Sequence, residues 1–223
     1  MTRATLFRTL LAAVVVALIA SSCLPQTSRR GMKVHLEVDT PRGLVQRAGV
    51  IRIVYSRAPF WFPTGTGNRN GAGLEGEAPY VALGDGRYLF MLLEDPPGGR
   101  RQMLSLADVL SRSPKGATIP PELVPSLVVF QDPAQVTSIA RVDPADLAAT
   151  LGPGYALRRV WVEPTREKLV FGALEKVLPF RRALEGPAVD RIGREEQLRS
   201  LRYPSPTDPR MITWMDFQRG GPE

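Results

Sequence analysis

Residues 33–39, Lys-Val-His-Leu-Glu-Val-Asp, alternate polar and apolar side chains one by one. A period of two belongs to a β-strand with one face buried and the other in water, so Val34, Leu36 and Val38 point to a core while His35, Glu37 and Asp39 stay wet. After Thr40-Pro41-Arg42-Gly43 comes a second run, Val50-Ile51-Arg52-Ile53-Val54-Tyr55, rich in the β-branched residues that suit a pleated surface. The two runs predict a wide hairpin. Residues 80–83 and 87–93 flank Gly84-Asp85-Gly86, the strongest hairpin signal in the chain, and 88–93 are apolar on both faces, as a central strand requires. Residues 126–130 read as another buried strand, 136–142 as an extended segment beside it, and 155–163 as a further strand.

Helical signals are brief. Ser105 and Asp108 have capping-box spacing for a helix running to about Arg112 and stopped by Pro114. Asp143 as N-cap, Pro144 in the first helical position and Gly152 beyond the end predict a second over residues 144–151. Residues 172–178 suit one more helical turn or two. With 20 glycines and 21 prolines among 223 residues, many turns join short elements. The expected fold is mainly β with minor α, an antiparallel β-sandwich or partly open barrel with two or three short helices.

The first residues set the compartment. Arg3 and Arg8 precede an apolar run over residues 10–20, and Ser21-Ser22 lead into Cys23, the layout of a secretory signal. At 11 residues the run is well short of the ~20 that span a bilayer. Ala20-Ser21-Ser22-Cys23 resembles the lipobox of bacterial lipoproteins, in which cleavage before the cysteine is coupled to its acylation by chains such as palmitate. Ala20 departs from the leucine usual at that position. The alternative is an ordinary cleavage site that uses Ala20 and Ser22 as its small pair and leaves a soluble periplasmic or secreted protein. Cys23 is the one cysteine in the chain, so it cannot close an internal disulfide, and an attachment point explains it better than a free thiol. The resemblance implies a membrane partner through the lipid. Leu24, where an aspartate would mark inner-membrane retention, points to the outer membrane.

The organisation expected is a signal peptide over 1–22, a lipid-attached tether over 23–31, a β-rich domain over 32–184 and a C-terminal tail over 185–223 that is partly docked. Removal of 1–22 takes away Arg3 and Arg8, leaving 27 basic against 22 acidic residues, a formal charge of +5. The arginines are scattered, without the basic block and interleaved aromatics of a single-strand channel, so nucleic acid is not expected as a partner. An envelope protein or an anionic glycan is the partner class such a surface suits.

Two apolar clusters are candidate interaction surfaces. Phe60, Trp61 and Phe62 open a turn-rich stretch over 59–76 that reads as a long exposed loop, and Trp214 and Phe217 lie near the C-terminus. The glycines at 71, 73 and 76 formally match a dinucleotide fingerprint, but that motif needs a strand before it and a helix after it, and here a loop precedes and a strand follows.

Catalytic signals are few. A Ser-His-Asp or Cys-His catalyst needs a histidine, and the one present, His35, lies on the wet face of a strand. With one cysteine and one histidine the usual zinc ligand sets cannot be assembled, and neither a phosphate loop nor a Ser-x-x-Lys nucleophile occurs. No catalytic residue, metal site or cofactor is therefore assigned. A carboxylate pair is the exception, since glycoside hydrolysis needs only two acids at the right separation in space. Glu75, Glu77, Glu94 and Asp95 are the candidates, and Asp85 is explained by its turn. Two buried acids facing each other across one cleft are the mark of that chemistry.

Gly76-Glu77-Ala78, residues 81–87 with Leu89-Phe90, Arg141-Val142-Asp143-Pro144-Ala145-Asp146-Leu147 and Gly152-Pro153-Gly154 resemble an uncharacterised family of small proteobacterial proteins. The likeness runs over roughly residues 32–180 and implies no activity. The functional expectation is a lipid-anchored cell-envelope protein that binds or scaffolds. The alternative is a carboxylate-dependent envelope hydrolase acting on wall glycan.

Overall fold

The computed structural model describes residues 26–57, 70–93, 102–132, 138–178 and 217–220. Cys23, Phe60, Trp61, Phe62, Glu94, Asp95 and Trp214 lie outside them, as does most of the expected tail. The chain divides into two compact units. The first comprises Met1–Arg29 and Val54–Gly73, and its described residues are all extended strand; the second comprises Arg30–Ile53 and Leu74–Glu223.

Among the described residues ten strands form two antiparallel sheets: β1 (Gln26–Thr40), β2 (Gly43–Arg57), β3 (Asn70–Glu77), β4 (Tyr80–Ala82), β5 (Tyr88–Met91), β6 (Ala117–Ile119), β7 (Leu127–Phe130), β8 (Ile139–Val142), β9 (Ala156–Thr165) and β10 (Gln218–Arg219). Six take the order β10-β3-β2-β1-β9-β6, and four the order β4-β5-β7-β8. Two short helices, α1 (Gln102–Arg112) and α2 (Leu147–Leu151), accompany them. This is the mainly β, minor α architecture of a sandwich or open barrel.

The alternation in residues 33–39 does what its period requires. Met32, Val34, Leu36 and Val38 are fully buried, while the residues between them are half-exposed and pair across to β9. In the four-stranded sheet β5 and β7 are central, and all four residues of β7 are buried. The Gly84-Asp85-Gly86 hairpin forms as expected, with Leu83 N–H donating to the Arg87 carbonyl and both glycines at positive φ.

Four expectations need correction. The first hairpin is tight, not wide, because β2 starts at Gly43. Thr40 Oγ1 accepts from Arg42 N–H at 3.2 Å and donates to the Gly43 carbonyl at 2.8 Å, which closes the turn, and residues 43–49 extend without a strand-like composition because β1 offers them a backbone ladder. Residues 26–31 are strand rather than tether. Gly31 pairs with Thr165, and a Cβ there would sit 2.3 Å from the Thr165 carbonyl oxygen, so glycine permits the approach. Residues 70–76 are strand rather than loop: backbone pairing with β2, and with β10 at Gly76 and Glu77, holds a sequence whose side chains carry little β signal.

The helix expected over 144–151 begins at Leu147. Asp143 is drawn into a turn of its own, accepting from Ala145 N–H at 2.9 Å, and Asp146 becomes the N-cap, accepting from Ala149 N–H at 3.1 Å. Gly152 ends the helix as expected, with φ 103°. Helix α1 starts three residues before the expected Ser105 and buries Met103, Leu106 and Ala107. The turn expected within 172–178 is a single 3₁₀ turn at Leu174–Lys176.

Candidate functional site

Phe217 is fully buried, and this removes it from the expected exposed patch. Its ring lies edge-on to Phe90 with centroids 5.5 Å apart and stacks on Phe130 at 6.1 Å; Phe90 and Phe130 are 5.9 Å apart. Its carbonyl accepts from Ala78 N–H at 2.7 Å, and the two residues after it form β10 against β3. Phe217 is thus core, held by an aromatic cluster and by the strand pair that follows it. The apolar run over residues 211–217 is the sequence signal for this docking.

The surface formed by β1 and β9 is a ladder of opposite charges. Arg159 meets Glu37 at 2.5 Å, Arg158 meets Asp39 at 2.9 Å, and Lys33 meets Glu167 at 2.5 Å. His35 Nε2 is 3.0 Å from Glu163 Oε1, and its ring lies 5.0 Å from the Trp161 ring. The histidine is therefore engaged on a half-exposed strand face with no nucleophile in the pair. Among the described residues no three His, Cys, Asp or Glu side chains converge as a metal site.

The candidate acids are also engaged. Glu75 pairs with Arg52 at 3.3 Å. Glu77 is the buried carboxylate among the described residues, 7% exposed, and it accepts from the backbone N–H groups of Gly172 at 2.5 Å, Ala173 at 3.1 Å and Leu174 at 3.2 Å. These are the orphan donors at the start of the 3₁₀ turn, where a carboxylate is electrostatically favoured. Asp85 is held by Arg87, which donates from its backbone N–H at 2.9 Å and from Nη2 at 2.7 Å, and by the Tyr155 hydroxyl at 2.7 Å. Burial alone would push this carboxyl up, but the hydrogen bonds from Arg87 and Tyr155 outweigh it and hold the pKa at about 2. Arg87 reaches on to Gln131 Oε1 at 3.1 Å and the Leu151 carbonyl at 3.2 Å, so the cluster ties the β4–β5 turn to the end of α2.

A cleft of about 380 Å³ opens beside Tyr80. Residues 47–50 of β2 form one wall, Glu77, Ala78 and Pro79 another, and Glu167, Val170 and Ala173 a third. Gly49 lets this close up, because a Cβ there would lie 3.2 Å from Pro79 Cβ. Arg47 places its guanidinium 3.9 Å above the Tyr80 ring centre, and the Tyr80 hydroxyl lies 3.4 Å from the Ala173 carbonyl. Burial pushes the Tyr80 phenol above its ordinary value despite the nearby arginine. Arg47 and Tyr80 carry no local signal in the sequence, because they are far apart in the chain and neither belongs to a motif.

No family model, curated protein or solved structure matches the chain.

Proposed function

We propose that this is a cell-envelope protein, anchored through acylated Cys23, whose β-rich domain works by non-catalytic binding or scaffolding. The observation that carries the non-catalytic part is Glu77. It is the buried acid in the Tyr80 cleft, and its carboxylate braces three backbone N–H groups instead of facing a second acid. Moving it for catalysis would leave those donors without their partner, at about 1 to 3 kcal/mol each where they are buried, and protonating it would weaken the bonds it accepts. The cleft offers a guanidinium laid on an aromatic face and a largely preformed hollow, the elements of recognition rather than bond cleavage.

The anchor reading rests on Ala20-Ser21-Ser22-Cys23 and on the absence of a second cysteine to pair with. Each buried CH₂ of an attached acyl chain adds roughly 0.8 kcal/mol of membrane affinity, so two or three chains hold the protein firmly. Cys23→Ala tests it by cell fractionation. The variant is expected to leave the membrane fraction or to remain as unprocessed precursor. Retention of a processed variant in the membrane, as firmly as the parent, refutes the anchor. Pull-down of the full chain from envelope extracts then identifies what the domain holds.

A further inference from the structure

Strand β2 has 15 residues and its neighbour β3 has eight. Gly76 of β3 lies against Val50 and Ile51: a Cβ on it would sit 3.0 Å from the Val50 carbonyl oxygen and 3.4 Å from Ile51 Cα. In an antiparallel sheet this register sets β3 along the second half of β2 and ends it at Glu77. Among the described residues, therefore, no strand is hydrogen-bonded to residues 43–48 of β2 on the side away from β1, and Pro79 and Tyr80, which stand against Gly49 and Arg47, bound the inner end of that edge. Leu44, Gln46, Arg47 and Ala48 are exposed there. A strand edge of about six residues, some 20 Å long, presents alternate N–H and C=O groups to an extended chain laid beside it.

The charges beside this edge select the occupant. Arg47 overhangs the cleft on the Tyr80 ring, and no carboxylate pairs with it among the described residues. Arg42, at the turn end of the same edge, donates to the Gly84 carbonyl rather than to an acid. The acids of the cleft are taken up, Glu77 by backbone donors and Glu167 by Lys33. A guanidinium lying over an aromatic ring keeps the donors in its own plane available, and these match a carboxylate in two-point geometry. A second copy of the chain fits poorly, because residues 41–57 carry no acid to meet Arg47. A glycan could meet the charge but has no amide ladder to meet the strand.

We infer that residues 43–48 of β2, with Arg47 as the charge-reading group, form a strand-addition site for an extended acidic peptide segment of a partner protein. This rests on the binding reading above and names the class of ligand. Main-chain pairing with the open edge supplies affinity, and an aspartate or glutamate against Arg47 supplies selectivity.

The test uses the full chain in detergent, titrated with a short fluorescent peptide of alternating valine and aspartate, with its valine–asparagine counterpart, and with an acidic oligogalacturonate. The aspartate peptide is expected to bind at least about tenfold more tightly than the asparagine peptide, with affinity that falls as salt rises. Arg47→Ala weakens it about tenfold and Arg47→Lys less, with unchanged thermal unfolding in both, as an exposed side chain allows. Amides of residues 43–48 gain protection from hydrogen exchange when the peptide binds. Equal affinity for the two peptides overturns the inference. So does binding of the oligogalacturonate as tightly as the aspartate peptide, slow exchange at residues 43–48 in the free chain, or a free-chain dimer that Arg47→Ala strengthens. If the peptide fails while Cys23→Ala still releases the protein, this site is lost and the anchored binding reading stands.

Discussion

Asp85 and Glu77 are both acids held by hydrogen bonds, yet they respond differently to change. The Asp85 carboxyl has its folded pKa depressed to about 2, below its unfolded value near 3.9. Its contribution to stability is therefore complete above about pH 4 and is lost as pH falls through 4 toward 2. The full shift would carry roughly 2.5 kcal/mol, and solvent screening at this exposed turn reduces it to about 1. Asp85→Asn should remove that part of the acid sensitivity, seen as a flatter dependence of urea-unfolding stability between pH 4 and 2 than in the parent; parallel curves would count against it. Glu77→Ala acts at all pH values because it strips three N–H groups of their acceptor. A loss of about 2 to 4 kcal/mol in urea unfolding is expected, with Glu77→Gln costing less because an amide oxygen still accepts. A loss below about 0.5 kcal/mol for Glu77→Ala would show that the turn finds other acceptors.

At the scale of elements, the aromatic cluster joins the tail to the body. Phe217→Ala should cost about 3 to 5 kcal/mol in urea unfolding, as truncation of a fully buried phenylalanine does, and should speed amide exchange at Gln218 and Arg219. Slow exchange there with little lost stability would mean that β10 holds without the ring. How far each element could be read in advance follows from what holds it. Residues 33–39 and 84–86 were legible because side-chain alternation and turn chemistry are local. The start of β1 at Gln26, the first half of β2 and the glycines of β3 were not, because only partner strands hold them extended, and partners are a property of the fold. The same cause hid the candidate site: Arg47 and Tyr80 are 33 positions apart and meet only because the chain returns along β2 as β3 and runs on past Glu77. The helix cap moved from Asp143 to Asp146 because two equivalent caps sat three residues apart, and the local turn took the first.

For the whole molecule, the sequence supplied the class of fold, and the placement of its charges supplied the site. Among the described residues the two sheets and two short helices match the expectation from periodicity. The chemistry was less legible, since acids that looked available in a list prove to be braces and ion-pair partners once folded. One feature of β1 bears on how such a protein would meet its partners. The strand begins at Gln26, three residues after Cys23, and three residues of chain reach at most about 11 Å. With Cys23 acylated, the start of β1 is held at the lipid surface and the protein searches in two dimensions. A partner embedded in the same membrane meets it at a high effective concentration, so weak binding would be enough there, while a partner free in the surrounding fluid would need far tighter binding to be held.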